Sequence, residues 1–240
     1  KRASCLVNPR AAYETTLNFP LTNHKKKIAV VGAGPAGLAF SCYAAERGHE
    51  VHLFDKAAEI GGQFNFAKRV PGKEEFYETL RYFKTRIDDT GVNLHLETEQ
   101  SVESLQSGQF DEVVLATGIV PRDLSIPGFE HPKVKSYLNV LRDNEEVGKK
   151  VAIVGAGGIG FDVAEFLSEE HSLSTDAGKW LKSWGIDTEY KHRGAITQPE
   201  PESSEREIFL LQRKTTKVGK NLGKTTGWIH RSTLKKKKVQ

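Results

Sequence analysis

Gly32, Gly34 and Gly37 form a Gly-x-Gly-x-x-Gly pattern directly after the apolar run 28–31. In a turn from strand to helix, the first glycine of this pattern permits a tight turn, the second leaves room for a pyrophosphate, and the third lets the helix pack closely. Free N–H groups at the helix N terminus bind phosphate oxygens. Asp55 ends the next apolar run, where its carboxylate can accept hydrogen bonds from a ribose diol and would repel a 2′-phosphate. The pattern predicts a site for FAD or NAD; the alternative is a glycine-rich turn without a ligand.

Two further segments favour FAD over NAD at this first site. The segment IGGQF at 60–64 places two glycines where a long cofactor would continue, and LATG at 115–118 ends an apolar run with small residues. The isoalloxazine arm of FAD needs more of a fold than NAD does. Taken alone, LATG is equally consistent with an ordinary exit from a strand into a turn.

The same glycine pattern recurs at Gly155, Gly157 and Gly160, again after an apolar run. Here no acid ends the following apolar run, and Arg213 and Lys214 stand in its place. A guanidinium can bind a phosphate through two hydrogen bonds, so this second site is predicted to prefer NADP(H) to NAD(H). The alternative is an exposed basic turn after a strand.

The elements that must position these loops also repeat along the chain. Residues 26–56 have the pattern of strand, helix and strand, which predicts a parallel pair. Further on, the pattern predicts a helix at 74–90, strands at 92–96 and 113–116, and a proline-containing crossing at 119–135. A second strand and helix are predicted from 150. An inserted polar segment follows at 168–206, with a short helix at 180–184, and a strand is predicted at 206–214. The predicted fold is α/β, with two Rossmann-like dinucleotide-binding domains in tandem, both with parallel sheets: a lead-in at 1–24, an FAD-binding domain at 25–140 and an NADPH-binding domain at 141–240.

Composition excludes several other classes of protein. The net charge is only +4, and much of the excess lies in the lysine runs 25–27 and 235–238, which predicts solvated segments rather than a nucleic-acid interface. No apolar run reaches the 18 or so residues of a membrane span, and no signal peptide begins the chain. Two cysteines without a Cys-x-x-Cys motif favour a reducing, cytoplasmic location and disfavour a disulfide reductase. The histidines have no metal-binding spacing.

Several longer motifs identify a family. The segments SCLVNPRA, IGGQFNFAKRVPGKEEFYETLR, ATGIVPR and LGKTTGWIHR together resemble bacterial NADPH-dependent 2,4-dienoyl-CoA reductases, over nearly the whole chain. That family belongs with trimethylamine dehydrogenase and other iron–sulfur flavoenzymes related to old yellow enzyme. The resemblance implies a larger enzyme, with a barrel that holds FMN and reduces the dienoyl thioester, a [4Fe–4S] cluster, and then the FAD and NADPH domains. The chain has no methionine and lacks the barrel, so we expect it to be a C-terminal portion cut at both ends.

The resemblance also implies roles for individual residues. For FAD these are Gly32, Gly34, Ala36, Gly37, Asp55, Gln63 and Gly118, with Lys73 as a further candidate for the phosphates and Val102 for the adenine through its backbone. For NADPH they are Gly155, Gly157, Gly160, Arg213, Lys214 and Arg231, with Lys224 as an additional candidate. Cys5 matches the fourth cysteine of the cluster, which would make the lead-in part of the iron–sulfur region. Because the first three cysteines are absent, we expect no cluster in this chain.

The function implied by the resemblance is electron input to a 2,4-dienoyl-CoA reductase in unsaturated fatty acid β-oxidation. NADPH would reduce FAD, and electrons would continue through the cluster to FMN in the missing barrel. No catalytic residue is expected within this chain, because the protein would act by holding the cofactors. Two alternatives stay open: a related flavoenzyme, such as an enoate reductase or amine dehydrogenase, and a scaffold domain without cofactors. No nucleic-acid or membrane partner is expected.

Overall fold

A computed structural model describes residues 3–5, 7–122 and 124–240. The chain forms two compact units, one containing Lys1–Asn65 and Glu75–Ser125 and the other Phe66–Glu74 and Ile126–Gln240. Three residues of the predicted lead-in lie outside the described residues: Lys1, Arg2 and Leu6, of which Leu6 belongs to the segment SCLVNPRA. The longer segment of the second unit begins at Ile126, whereas the NADPH-binding domain is predicted to begin at 141, and its shorter segment, Phe66–Glu74, falls within the range predicted for the FAD-binding domain. The assignment of one unit to FAD and the other to NADPH stays a prediction.

The first unit contains a four-stranded parallel sheet in the order β3-β2-β1-β4. Its strands are β1 (Lys27–Val31), β2 (Glu50–Phe54), β3 (Asn93–His95) and β4 (Glu112–Leu115). The helices in this part of the chain are α1 (Pro35–Glu46), α2 (Phe64–Ala67), α3 (Glu75–Thr90) and α4 (Val102–Ser107). In the register of the sheet, Ile28 of β1 lies opposite Val51 of β2 and Glu112 of β4.

The core of this unit lies where α1 and α3 cover the sheet. Leu38 of α1 packs with Val30 of β1, and both side chains are fully buried. In α3 the apolar positions recur at three- and four-residue steps, which brings Phe83 and Ile87 onto the buried face. This packing fixes β1 and the start of α1, the two elements that flank the first glycine loop.

The second unit contains a two-stranded parallel sheet of β5 (Lys150–Val154) and β6 (Glu207–Leu211). Its helices are α5 (Tyr137–Leu141), α6 (Gly158–Ser168), α7 (Ala177–Trp184) and α8 (Gly227–Lys236), with 3₁₀ turns at Leu173–Thr175 and Arg193–Ala195. Phe161, Ala164 and Leu167 of α6 pack with Ile208 of β6 and Leu234 of α8 in its core. The strands and the N terminus of α6 therefore meet at the second glycine loop.

The structure confirms the predicted α/β class with parallel sheets. The predicted short helix in the polar segment is α7, which begins after the N-cap Asp176 and ends at the left-handed Gly185. The last strand is shorter than predicted and ends at Leu211. It ends there because the side-chain amide of Gln212 donates hydrogen bonds to the carbonyls of Lys214 and Thr216, which turns the chain. Helices α2, α4, α5 and α8 were not predicted.

Candidate nucleotide-binding sites

The three glycines of the first loop have the three different geometries that the pattern requires. Gly32 has φ +109°, and a Cβ there would lie 2.3 Å from the carbonyl oxygen of Ala116. A Cβ on Gly37 would lie 1.9 Å from the Gly32 carbonyl oxygen, so the start of α1 is pressed against the loop. A Cβ on Gly34 would meet no described atom within 4 Å. The first and third glycines are thus required for packing, whereas the second leaves open space beside the backbone.

The N terminus of α1 opens at this space. Gly34 is the N-cap residue, and no side chain of the described residues caps the helix through a hydrogen bond. N–H groups in the first turn of a helix have no partner within the helix, and together with the helix dipole they bind anions. The arrangement therefore fits a pyrophosphate at Gly34.

Asp55 adjoins this loop directly. Its Oδ2 accepts a hydrogen bond from the Ala33 N–H at 2.6 Å, and its Oδ1 accepts one from the Ala57 N–H at 2.8 Å. Each carboxylate oxygen can accept more than one hydrogen bond, so both can still receive a ribose hydroxyl. The carboxylate fixes the glycine loop in addition to its predicted role on the ribose.

The segment that contains Gln63 runs along the same loop. Gly61 donates its N–H to the carbonyl of Ala33 at 2.8 Å, and a Cβ on Gly62 would lie 3.2 Å from the Gly34 Cα. Ala36, Gln63 and Gly118 are exposed at the surface of the unit, and Gly118 has φ +73°. The structure thus brings most of the residues predicted for FAD to one edge of the parallel sheet, although contact with FAD stays a prediction for each of them.

Val102 and Lys73 are the two remaining candidates for FAD. Val102 is the first residue of α4, after the N-cap Ser101, and its side chain is exposed. Lys73 belongs to the second unit, where its Nζ lies 2.7 Å from Oδ2 of Asp162. The ammonium of Lys73 therefore already has a carboxylate partner, which the sequence pattern gave no reason to expect.

The second loop repeats the geometry of the first. Gly155 has φ +119°, and a Cβ on Gly160 would lie 1.8 Å from the Gly155 carbonyl oxygen. A Cβ on Gly157 would meet nothing within 4 Å among the described atoms. Gly157 is the N-cap of α6, without a side-chain cap from the described residues. This loop also fits a pyrophosphate at the helix N terminus.

A cavity of about 610 Å³ adjoins the second loop. It is lined by Gly155, Ala156, Gly157, Gly158, Gln212, Arg213, Lys214, Thr216, Gly219, Lys220, Asn221, Leu222 and Gly223. Three of these residues are cationic and, within the described part of the chain, none is acidic, so the cavity favours an anionic ligand. The sequence predicted Arg213 and Lys214 here but missed Lys220, and the structure does not bring Lys224 to the lining. Only the basic and glycine-rich character of 213–224 could have indicated Lys220.

Arg231 is absent from the described lining of this cavity. Its Nη1 donates a hydrogen bond to the carbonyl oxygen of Gly219 at 3.2 Å, and Gly219 is one of the lining residues. Arg231 was predicted to contact NADPH, and the structure shows it in contact with the loop.

A stripe of three paired carboxylates follows α6 away from the glycine loop. Asp162 pairs with Lys73, Glu165 with His230, where Oε1 and Nδ1 are 2.7 Å apart, and Glu169 with Lys237, where the atoms are 3.7 Å apart.

Glu165 and Glu169 are buried. Burial raises the pKa of the Glu165 carboxyl, even though the hydrogen bond and charge of His230 act in the opposite direction. Sequence reasoning missed this stripe; the carboxylates at 162, 165 and 169 are spaced for one helix face, which was the available signal.

The two cysteines have different environments. Cys5 is exposed, whereas Cys42 is buried in α1, and burial raises the pKa of its thiol. In the described residues there is no group of three or more His, Cys, Asp or Glu side chains that could hold a metal ion. A role for Cys5 in an iron–sulfur site stays a prediction, and the residues present do not by themselves fit a cluster, which needs four ligands. Among the helices that the structure describes, none is both long and apolar enough to cross a bilayer.

Known proteins similar to this chain include longer reductases, of which the chain matches a part. A family model described as pyridine nucleotide-disulphide oxidoreductase matches residues 26–239. The chain is 32% identical over 243 residues to a metal reductase of Desulforamulus reducens, covering 100% of this chain and 36% of that protein. It is 35% identical over 172 residues to a cinnamate reductase of Clostridium sporogenes, covering 70% of this chain and 25% of that protein.

The solved structure of a 2-naphthoyl-CoA reductase in complex with 2-naphthoyl-CoA is also similar, with 27% identity and a TM-score of 0.79. The match covers 98% of this chain and 31% of the reductase chain. The chain thus spans between a quarter and two fifths of the length of the enzymes that it matches.

Proposed function

The chain belongs to the pyridine nucleotide-disulphide oxidoreductase family, and from this membership we propose that it is the electron-input part of a flavoenzyme related to old yellow enzyme. In this proposal the first unit binds FAD and the second binds NADPH. When bound, FAD accepts a hydride from a reduced nicotinamide and releases electrons singly. The protein's own contribution is to bind and orient the two nucleotides.

For FAD, the support comes from the open side of the first glycine loop. Gly34 has no Cβ to obstruct a pyrophosphate, the N–H groups of the first turn of α1 are available to it, and Asp55 can receive the ribose hydroxyls. A carboxylate at this position disfavours a 2′-phosphate, so an FAD rather than an NADP ligand is proposed here.

The preference for NADPH over NADH rests on one observation, the cation-lined cavity at the second loop. Arg213, Lys214 and Lys220 line it together, and none of them forms an ion pair with a carboxylate of the described residues. Three cations without a fixed counter-charge favour an anionic ligand, and NADPH carries a 2′-phosphate that NADH lacks.

The substrate of the complete enzyme is proposed from resemblance. The motifs quoted above favour a 2,4-dienoyl-CoA reductase, and the 27% identity to a 2-naphthoyl-CoA reductase agrees with a CoA thioester as substrate class. An enoate reductase is the second candidate, because a cinnamate reductase is among the relatives. The parent enzyme would carry FMN and an iron–sulfur cluster, with Cys5 as one cluster ligand. The described residues do not complete the ligand set of such a cluster.

A cofactor experiment tests this proposal on the full chain. The purified protein is incubated with FAD, freed of excess cofactor, and titrated without oxygen with NADPH and then with NADH. We expect retained flavin absorbance that NADPH bleaches at lower concentration than NADH. A protein that retains no flavin and is not stabilised by either nucleotide would instead support the scaffold alternative.

Arg213→Ala tests the preference for NADPH. Removing one charged hydrogen-bond donor should raise the NADPH concentration required for bleaching by about 10- to 100-fold and leave the NADH concentration unchanged. Arg193→Ala is the matched control, since it removes the same charge from an exposed residue of the same unit outside the cavity lining. Equal weakening of both nucleotides by Arg213→Ala would contradict the role of Arg213 on the 2′-phosphate.

A further inference from the structure

We infer that Arg231 is a positioning residue, which fixes the loop 214–223 against α6 and α8 and does not itself contact the nucleotide. The significance of this loop for NADPH rests on the proposed function, but the fixation of the loop does not. The sequence motif GWIHR had suggested a direct contact, and the contacts of the Arg231 guanidinium indicate a different role.

Gly219 is the point at which the loop is held. It is buried, with φ +68°, and a Cβ there would lie 2.8 Å both from Cζ of Phe161 on α6 and from Cδ1 of Leu222. Only glycine can adopt this backbone conformation and also approach the ring so closely. The loop therefore approaches α6 closely at Gly219, directly before Lys220 and Asn221 of the cavity lining.

Arg231 binds the loop at the same residue. Its Nη1 donates to the Gly219 carbonyl oxygen at 3.2 Å, and a Cβ on Gly227 would lie 3.4 Å from that nitrogen. The absence of a side chain at the first residue of α8 thus leaves room for the guanidinium. Arg231 is absent from the described lining of the 610 Å³ cavity, whereas Gly219 is part of it. Arg231 therefore adjoins the cavity through the Gly219 carbonyl, to which its guanidinium donates.

The neighbouring residue fixes α8 itself. The ring of His230 is hydrogen-bonded through Nδ1 to the buried carboxylate of Glu165 on α6, at 2.7 Å. One turn of α8 therefore connects to α6 through His230 and to the loop through Arg231. Because α6 begins at Gly158 beside the glycine loop, this connection sets how far Lys220 stands from the helix N terminus that is proposed to bind the pyrophosphate.

Limited cleavage with a lysine-specific protease tests the fixation without any nucleotide. The loop contains Lys214, Lys217 and Lys220, and mass spectrometry can follow cleavage after Lys217 and Lys220, which flank Gly219. Arg231→Gln removes a charged hydrogen bond to the loop, so cleavage at these lysines should be about tenfold faster than in the wild type. Arg231→Lys keeps a cationic donor and should restore much of the protection. Unchanged cleavage in Arg231→Gln would overturn the inference.

Nucleotide binding then separates positioning of the loop from contact with the 2′-phosphate. Arg231→Gln should weaken NADPH and NADH by the same factor and leave their ratio unchanged, whereas Arg213→Ala should reduce the ratio. A reduced ratio in Arg231→Gln would mean that the guanidinium touches the 2′-phosphate, and the inference would be wrong. If the wild type binds neither nucleotide, the proposed function fails, but the cleavage experiment still decides whether Arg231 holds the loop.

Discussion

Replacing two glycines of the second loop one at a time should separate folding from binding. Gly157 and Gly160 lie three residues apart at the start of α6, and the sequence pattern assigns the first to phosphate access and the second to helix packing. Their surroundings differ, because a Cβ meets no described atom within 4 Å at Gly157 but lies 1.8 Å from a backbone oxygen at Gly160. We expect Gly157→Ala to impair NADPH binding with little effect on stability, and Gly160→Ala to impair stability directly.

The magnitudes follow from these distances. Real Cβ contacts essentially never fall below 3.0 Å, so the start of α6 must move by at least about 1.2 Å in Gly160→Ala. Overpacking of this kind costs about 1–3 kcal/mol or more, which lowers Tm by roughly 2–10 °C. In Gly157→Ala the changed N-cap residue costs up to about 1 kcal/mol, while loss of one or two charge-assisted hydrogen bonds to phosphate raises the Kd for NADPH about 10- to 100-fold.

The assay combines thermal unfolding, followed by circular dichroism, with a fluorescence titration of NADPH. Gly178→Ala is the matched control, because it places a methyl group on exposed α7 in ordinary contact with Asp176, outside the lining of the cavity. It should leave NADPH affinity unchanged and raise Tm slightly, since alanine is the better helix former. The reasoning is refuted if Gly157→Ala binds NADPH like the wild type, or if Gly160→Ala keeps the wild-type Tm.

Two further predictions concern buried groups that the sequence pattern did not identify. Because burial raises the pKa of Glu165, the folded state retains a proton that the unfolded state releases above its ordinary value of 4.5, so stability falls as pH rises through this range. Glu165→Gln keeps an acceptor for His230 without the charge. Its free energy of unfolding should be on the order of 1 kcal/mol higher than that of the wild type at about pH 8, with no gain at about pH 4. A larger gain at the lower pH would contradict the expected direction of the pH dependence. Iodoacetamide should alkylate the exposed Cys5 of the folded protein and spare the buried Cys42, because burial raises the pKa of its thiol. Peptide mass mapping would show which cysteine is modified. Modification of both cysteines at similar rates would contradict this prediction and mean that α1 opens readily.

The sequence was most informative where a local pattern has one structural solution. Glycine spacing after an apolar run predicted both nucleotide loops, because the positive φ of Gly32 and the close packing at Gly37 are properties of the local chain. The helical period of 74–90 predicted α3 to within a residue for the same reason.

Sequence reasoning was least informative where a residue's role depends on a distant partner. The pairing of Lys73 with Asp162 joins residues 89 positions apart, and no periodicity indicates it. Lys220 stands in an irregular loop, where the chain has no repeating pattern to place a side chain. Arg231 shows the limit of motif transfer, because a motif gives residue types but does not show whether a guanidinium binds the ligand or the loop beside it.

The short segment Phe66–Glu74 has a consequence for how the protein is made. It belongs to the second unit although the chain returns to the first unit directly afterwards, and it contributes the fully buried Val70 and the partner of Asp162. On the ribosome this segment emerges before any other part of its unit, and its core neighbours on α6 follow only after the whole first unit has been synthesised. The second unit therefore cannot be produced by cutting the gene at one point, because a chain begun at Ile126 lacks part of its own core.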